Sequence, residues 1–200
     1  MVISFAEILL KGQFMISASD FRKGTKFLYE KEPHVVVDFQ HVKPGKGGAF
    51  VRTKMKNMIS GSIYEETFRV EEKFPDAGVE YKKMQFLYAE DQHYNFMDQN
   101  SYDQVTLTKD QVSEVIDVLK EQEAYDMVYF NDAPIAVAAP MFMILEVKDT
   151  PPGVRGNTAQ GGATKTAKLE TGLTLQVPLF VNEGDKIKID TRDLSYIERV

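Results

Sequence analysis

Hydrophobic and polar residues alternate over short stretches of this chain, and turn-forming residues separate the stretches. Alternation over four to eight residues is typical of β-strands that bury one face. A chain of many short strands and few helices favours small β-barrels. The predicted strands cover residues 26–30, 34–42, 48–57, 82–90, 93–98, 127–130, 141–147, 173–180 and 186–190.

One helix is predicted, and it begins after Thr108. Gln111 follows three residues later, which is the spacing of a capping box. The apolar residues that come next recur at helical spacing and predict one buried stripe. They are Val112, Val115, Ile116 and Leu119.

Two boundaries divide the chain, one near residues 75–78 and the other near Pro140. They predict three domains, residues 15–77, 78–142 and 143–200, each close to the lower size limit for an independent core. Residues 1–14 are expected to be a loosely ordered extension, because the stretch that follows, from Met15, resembles the beginning of a protein chain.

Composition limits the function classes. The 200 residues are 43% apolar and 27% charged, as in a globular protein. The absence of cysteine excludes disulfides, thiol nucleophiles and cysteine-ligated metals. The three histidines have no ligand spacing, and no apolar run reaches the roughly 18 residues of a membrane helix. We therefore expect a cytoplasmic protein with no metal, no cofactor and no membrane partner.

Charge is distributed unevenly along the chain, whose net charge is −6. Residues 15–77 contain 11 basic and 9 acidic side chains, residues 78–142 contain 4 and 12, and residues 143–200 contain 8 of each. The acidity therefore belongs to the middle segment, which would repel a phosphate backbone.

The stretch HVKPGKGGAFVRTKMK, residues 41–56, places Lys46 among turn residues between two predicted strands. It predicts a hairpin with Lys46 at the tip, in which Pro44 and Gly45 occupy the central positions of a type II turn. Lys46 could be a phosphate contact, a probe into a narrow site or a modification target. The remaining residues of the hairpin loop are Lys43, Pro44, Gly45, Gly47 and Gly48.

The strand after the tip carries three cations, Arg52, Lys54 and Lys56, at alternate positions and therefore on one face. They lie in a run without acidic residues, from Phe39 to Tyr64. Cations without counter-charges along the chain are typical of a surface that binds the phosphate backbone of a nucleic acid. The alternative is a solvated hairpin with a flexible tip.

Residues 165–184 read KTAKLETGLTLQVPLFVNEG, and this stretch resembles the C-terminal signature of the bacterial translation elongation factor P family. The resemblance also covers HVKPGKGGAFVRTK at residues 41–54, DFRKG at 20–24 and DTR at 190–192, and it extends over residues 15–200. The residues that meet the signature are Lys165, Ala167, Gly172, Leu175, Val177, Pro178, Val181 and Gly184.

The resemblance implies a mostly β chain of three small β-barrel domains, an SH3-like (KOW-type) barrel followed by two OB-folds, in an L shape that mimics tRNA. It implies a monomeric elongation factor, not an enzyme, that binds both ribosomal subunits between the P and E sites. The factor would stimulate peptide bond formation and relieve stalling at polyproline stretches by positioning the P-site peptidyl-tRNA. Lys46 would reach toward the peptidyl-transferase centre and be the target of a modifying enzyme.

Further RNA contacts are implied near the C-terminus. Arg155, Gly156, Asn157 and Thr158 match a loop that lies near the E-site mRNA in the family, although Asn157 stands where members commonly have aspartate. The last candidate contacts are Tyr196 and Arg199. The competing hypotheses are a generic OB-fold RNA-binding protein without translation-factor activity and a hydrolase that uses an acidic cluster.

Overall fold

The computed structural model describes residues 14–45, 47–153 and 163–200. Predictions for residues 1–13, for Lys46 and for Arg155–Thr158 lie outside this range. Within it the chain is mostly β, as predicted, with sixteen strands and only three short helical turns. None of the helices in the described ranges is long and apolar enough to cross a membrane.

The N-terminal strands form a four-stranded antiparallel sheet, in the order β2-β3-β4-β5, and a separate pair, β1 and β6. A 3₁₀ turn at Ala18–Asp20 follows β1. The strands are β1 (Met15–Ser17), β2 (Lys26–Tyr29), β3 (Glu32–Val42), β4 (Phe50–Asn57), β5 (Ile63–Arg69) and β6 (Lys73–Pro75).

Four phenylalanines join these two sheets. Phe21 and Phe27 lie 4.6 Å apart between ring centroids, and Phe68 packs against Phe74 at 4.7 Å. Phe27 and Phe68 come from the larger sheet and Phe74 comes from β6, so the cluster closes the barrel. Large aromatic rings dominate the burial of a core this small.

The middle strands form a five-stranded sheet in the order β11-β10-β7-β8-β9. Its core includes Phe86, Phe96, Leu107 and Met127, which are all buried. The strands are β7 (Glu80–Glu90), β8 (His93–Asp98), β9 (Gln104–Thr108), β10 (Ala124–Phe130) and β11 (Ala133–Ala138).

The predicted helix after Thr108 is only partly present. The capping box forms, with the Thr108 N–H donating to Gln111 Oε1 at 3.0 Å, and it starts a single turn, α1 (Lys109–Val112). The chain then winds more tightly and ends in a 3₁₀ turn at Ile116–Val118.

The tighter winding changes which side chains face the core. The N–H groups of Val115 and Val118 donate to carbonyls three residues earlier, so the buried residues recur every three positions. Val118 is buried, whereas Ile116 and Leu119 are only half-buried. The predicted stripe with α-helical spacing was therefore wrong beyond Val115.

The C-terminal strands form a second five-stranded sheet, in the order β14-β13-β12-β15-β16. Gly172 and Gly184 have φ angles of 94° and 83°, in the left-handed region that favours glycine. The apolar signature residues Ala167, Val177 and Val181 are buried. The strands are β12 (Phe142–Asp149), β13 (Thr164–Leu169), β14 (Thr174–Pro178), β15 (Lys186–Asp190) and β16 (Ser195–Arg199).

The chain packs into two compact units, one up to Glu80 together with Tyr129–Ile135, the other comprising Tyr81–Val128 and Ala136–Val200. In the second unit, Lys120 Nζ lies 3.1 Å from Glu170 Oε1, and Thr171 Oγ1 donates to the Asp117 carbonyl at 2.8 Å. The three-domain division at residues 77 and 142 stays a prediction.

A buried hydroxyl in the N-terminal core predicts a stabilising substitution. Thr53 is fully buried, and its Oγ1 has no hydrogen-bond partner in the described part of the chain. Thr53→Val keeps the shape and removes the unpaired group, so we expect the free energy of unfolding to rise by about 1–2 kcal/mol. Chemical denaturation measures it. The exposed control Thr67→Val should change it by less than about 0.5 kcal/mol, and a destabilised Thr53→Val protein would contradict the interpretation.

The turn after β15 predicts a pH dependence of stability. Hydrogen bonds from the Arg192 side chain and backbone N–H lower the pKa of Asp190 from 3.8 to about 2. A lowered folded-state pKa stabilises the fold above the unfolded value, and this contribution is lost as pH falls toward 2. Arg192→Ala should therefore lower the melting temperature at neutral pH, and the difference from wild type should shrink toward about pH 2. A difference that is constant with pH would contradict this assignment.

Candidate nucleic-acid interface

The β3–β4 hairpin is the element that carries the predicted tip. The strands pair antiparallel from His34↔Asn57 to Val42↔Phe50, with a bulge between Val36 and Asp38. Bulges bend a strand and increase its twist. Because the ladder continues to Val42 and Phe50, residues 43–45 and 47–49 lie together at one end of the sheet.

The predicted type II turn at Pro44–Gly45 was wrong. Such a turn requires a positive φ at Gly45, but the positive φ in this loop belongs to Gly47, at 107°. Pro44 and Gly45 therefore do not form the predicted two-residue turn. A Cβ atom added at Gly45 or Gly48 would meet no heavy atom of the described chain within 4 Å. These positions stand clear of the barrel.

The cations of β4 share one face, as predicted. Arg52 and Lys54 are exposed and Lys56 is half-buried, while the residues between them, Val51, Thr53 and Met55, are buried. Burial lowers the pKa of Lys56.

The same face does carry counter-charges, so this part of the prediction was wrong. Arg52 Nε lies 3.3 Å from Glu65 Oε1 of the neighbouring strand. The register places Lys54 between Glu65 on β5 and Asp38 on β3. The run without acids exists along the chain, but cross-strand neighbours supply the carboxylates.

The carboxylates weaken the positive potential of these cations but do not bind them tightly. Asp38 also pairs with Lys23, whose hydrogen bond is the main cause of its lowered pKa, and Lys54 adds a smaller effect. The Lys23–Asp38 and Arg52–Glu65 ion pairs are solvent-exposed. Exposed ion pairs contribute at most about 1 kcal/mol to stability. Phosphates could therefore replace these carboxylates at small cost.

An aromatic and cationic cluster near the hairpin was missed from the sequence. The Arg22 guanidinium lies over the Phe39 ring, 5.6 Å from its centroid, and the His41 ring meets Phe39 edge-on at 5.4 Å. Arg22 and His41 are exposed. Arginine and aromatic rings stack well on unpaired bases. Arg22 and Phe39 are 17 positions apart, so no local pattern indicates the contact.

His34 forms hydrogen bonds at the other end of the hairpin. It is buried, Tyr64 Oη lies 2.5 Å from its Nε2, and its Nδ1 lies 2.9 Å from the Glu32 carbonyl oxygen. Asn57 donates to the Glu32 carboxylate and accepts from the Ile59 N–H at 2.8 Å. Satisfied buried polar groups of this kind specify a single packing.

The two predicted contacts near the C-terminus differ in exposure. Arg199 is exposed, its guanidinium lies over the Phe180 ring at 5.4 Å, and its Nη1 lies 3.3 Å from Asp185 Oδ2. Phe180 is 57% exposed. The Asn182 N–H and then Arg199 lower the pKa of Asp185. Tyr196 is half-buried and pairs in register with buried Ile189.

These features are typical of a surface that binds RNA. In the described ranges, no group of three or more histidine or acidic side chains could hold a metal ion. The described part of the site consists of the end of the β3–β4 hairpin, a cationic strand face and arginines that lie on aromatic rings. Such surfaces position a phosphate backbone or an unpaired base.

Three protein families match successive segments of the chain. Residues 17–74 match the family described as elongation factor P (EF-P) KOW-like domain, and residues 79–137 match the elongation factor P OB domain. Residues 143–199 match the elongation factor P C-terminal family. These matches define a translation elongation factor built from KOW-like and OB domains.

Individual relatives lead to the same family. Elongation factor P of Clostridioides difficile (strain 630) is 52% identical over 186 residues, 93% of this chain and 100% of the relative. The factors of Alkaliphilus oremlandii and Pelotomaculum thermopropionicum are 50% identical over the same shares. The chain belongs to the elongation factor P family.

A solved structure shows the related fold. Eukaryotic translation initiation factor 5A from Methanococcus jannaschii superposes with a TM-score of 0.52 at 19% identity. The match covers 64% of this chain and 96% of that one.

The cationic face of β4 predicts a change in ribosome affinity. Arg52→Gln with Lys54→Gln removes two candidate phosphate contacts and places no new carboxylate beside Glu65. Binding should weaken, and the salt slope of log Kd should fall by about 2. Sedimentation with ribosomes at several salt concentrations measures both quantities.

The matched control removes the same charge elsewhere. Lys82→Gln with Lys83→Gln alters two lysines of β7 and should leave affinity and salt slope unchanged. Equal losses in both double variants would mean that net charge, not the β4 face, determines binding.

Proposed function

We propose that this elongation factor binds the ribosome beside the peptidyl-tRNA, between the P and E sites, and relieves stalling at runs of proline. Family membership implies interaction with the ribosome as a translation factor. The finer proposal concerns the β3–β4 hairpin, whose tip residue Lys46 would reach toward the peptidyl-transferase centre.

The observation that carries the proposal is the geometry of this hairpin. A long antiparallel ladder places residues 43–45 and 47–49 at the end of the sheet, and Gly45 and Gly48, on either side of position 46, stand clear of the barrel. A hairpin whose end stands clear of the barrel can enter a narrow site without disturbing its own core. A lysine between these glycines would be accessible for contact or modification.

The chemistry of proline explains what such a tip would do. Proline is a constrained secondary amine and a poor nucleophile in peptide transfer. A factor that holds the peptidyl-tRNA in its reactive position lowers the entropic part of the barrier. This role requires no acid, base or nucleophile from the factor. Positioning is therefore sufficient for the proposed effect.

The remaining predicted contacts take supporting roles in the proposal. Segment 78–142, with 4 basic and 12 acidic residues, would act as a spacer that does not grip RNA. Arg199, which lies over Phe180, and Tyr196 on the same strand would contact tRNA or ribosomal RNA. Residues Arg155–Thr158 would approach the E-site mRNA. The factor would act as a cytoplasmic monomer without enzymatic activity, and a separate enzyme would modify Lys46.

Replacing the tip residue tests the proposal. Lys46→Ala should reduce rescue of a Pro-Pro-Pro reporter in reconstituted translation to the level without factor. Its melting temperature should stay close to wild type, because the neighbouring positions Gly45 and Gly48 stand clear of the core and substitutions away from a core change stability little. Lys43→Ala removes the same charge from the same loop and should retain most of the rescue.

Two outcomes would argue against a role specific to the tip. Equal loss in Lys43→Ala and Lys46→Ala would assign the effect to loop charge, and full rescue by Lys46→Ala would remove the proposed contact. Comparing recombinant protein with protein from the native source, together with the mass of the Lys46 peptide, would show whether a modification is required.

A further inference from the structure

Arg22 belongs to the stretch DFRKG, residues 20–24, to which the proposed function assigns no role. Its neighbour Phe21 is fully buried in the N-terminal core, whereas Arg22 itself is exposed. The Arg22 guanidinium donates from Nη1 to the Phe21 carbonyl at 2.7 Å and lies over the Phe39 ring. The fold therefore holds an exposed guanidinium against an aromatic ring of β3.

The loop that carries Arg22 is joined to β3 by backbone hydrogen bonds. The Gly24 N–H donates to the Val36 carbonyl at 2.8 Å, and the Val36 N–H donates to the Thr25 carbonyl at the same distance. Within the loop, the Arg22 N–H donates to Thr25 Oγ1 at 3.0 Å. The backbone of Arg22 is thus fixed before any ligand binds, which reduces the ordering cost of a complex.

Phe39 and His41 lie on the core face of the hairpin. Phe39 pairs in register with Thr53 and His41 with Val51, and both of these β4 residues are buried. Phe39 is nevertheless only half-buried and His41 is exposed, and their rings meet edge-on at 5.4 Å. The core face of β3 therefore reaches solvent here, on the side opposite the β4 cations.

The contacts of Arg22 differ from those of the cations on β4. The Arg22 guanidinium contacts a carbonyl and an aromatic ring, whereas Arg52 Nε lies 3.3 Å from a Glu65 carboxylate oxygen. An arginine paired with a carboxylate is suited to a phosphate, which has similar geometry. Guanidinium planes and aromatic rings instead support unpaired bases by stacking, and such stacking tolerates any base.

We propose that Arg22, Phe39 and His41 form a stacking site for an unpaired nucleobase of RNA. This inference rests on the proposed function, in which the ribosome and its P-site tRNA supply the base. His41 lies one residue before the last pair of the β3–β4 ladder, so the site is beside the loop that would approach the peptidyl-tRNA. The site adds affinity by stacking and not by neutralising a phosphate.

Replacing Arg22 with lysine separates stacking from charge. Arg22→Lys keeps the positive charge and removes the planar group. It should weaken binding to ribosomes that carry P-site tRNA by about tenfold, within the range for one stacked base. The salt slope of log Kd should stay unchanged, because the charge is retained. Sedimentation at several salt concentrations measures both quantities.

A control and two further variants complete the design. Arg69→Lys makes the same exchange at an exposed position of β5 and should bind within about twofold of wild type, since it retains the charge. Phe39→Leu and His41→Ser each remove one ring and should lower the affinity without changing the salt slope. Phe39 also packs against the core, so the exposed variants Arg22→Lys and His41→Ser keep the test decisive if Phe39→Leu does not fold.

The base can come from tRNA or from ribosomal RNA, and trimmed tRNA distinguishes these sources. The measurement is repeated with a P-site tRNA that lacks its unpaired 3′-terminal nucleotides. If the base belongs to the tRNA end, wild type and Arg22→Lys should bind the trimmed complex equally. If it belongs to ribosomal RNA, the difference between them should persist. Either result supports the stacking site.

Equal affinity of folded Arg22→Lys and wild type for the intact complex would overturn the proposal. A lower melting temperature alone would then mean that Arg22 only covers Phe39. An equal loss of affinity in Arg69→Lys would also contradict a specific stacking site.

Failure of the proposed function would look different, because the wild-type protein itself would neither bind ribosomes nor rescue the Pro-Pro-Pro reporter. In that event, nuclear magnetic resonance with a single-stranded oligocytidylate and an RNA duplex of equal length decides the stacking role. The single strand should shift the His41 ring resonances in wild type more than in Arg22→Lys, and more than the duplex does. The absence of such a shift in wild type would refute the site.

Discussion

The antiparallel ladder between β3 and β4 is the constraint on which the rest of the N-terminal structure depends. One register, His34↔Asn57 to Val42↔Phe50, places Val51 and Met55 in the phenylalanine core and the β4 cations on the opposite face. The same register places residues 43–45 and 47–49 at the end of the sheet. Because side chains alternate across a strand, a slip of one position would bury the cations and expose the core. Stability and the presentation of the tip therefore have one physical origin.

Several strands with regular alternation could be predicted from the sequence, but β9 and β11 were missed although their residues also alternate. The bounds of β8 and β15 agree with the prediction, and β3 and β4 differ from it by two residues at one end. β5 was missed because few of its residues are apolar and only Phe68 is fully buried. β13 was missed because Lys165 occupies an inward position and interrupts the apolar period. The strands β1 and β6, with three residues each, are too short for periodicity to indicate.

The candidate site was predicted where it depends on local spacing and missed where it depends on tertiary contacts. Alternation was enough to place Arg52 and Lys54 on one face. The carboxylate of Glu65 reaches them only through the pairing of β4 with β5, which a linear run without acids cannot reveal. The contacts of Arg22 with Phe39 and of Arg199 with Phe180 join residues distant in sequence. The type II turn failed because the left-handed conformation belongs to Gly47, although either glycine could have adopted it.

The central claim is that a rigid hairpin carries its tip to the reacting end of the peptidyl-tRNA, so that binding energy is converted into position and not into chemistry. The most direct measurement is cryo-electron microscopy of ribosomes stalled at a Pro-Pro-Pro codon run with this protein bound. We expect density for residues 43–49 beside the terminal nucleotides of the P-site tRNA, with the β4 face against RNA phosphates. A bound factor whose hairpin points into solvent, or one that lies outside the space between the P and E sites, would contradict it.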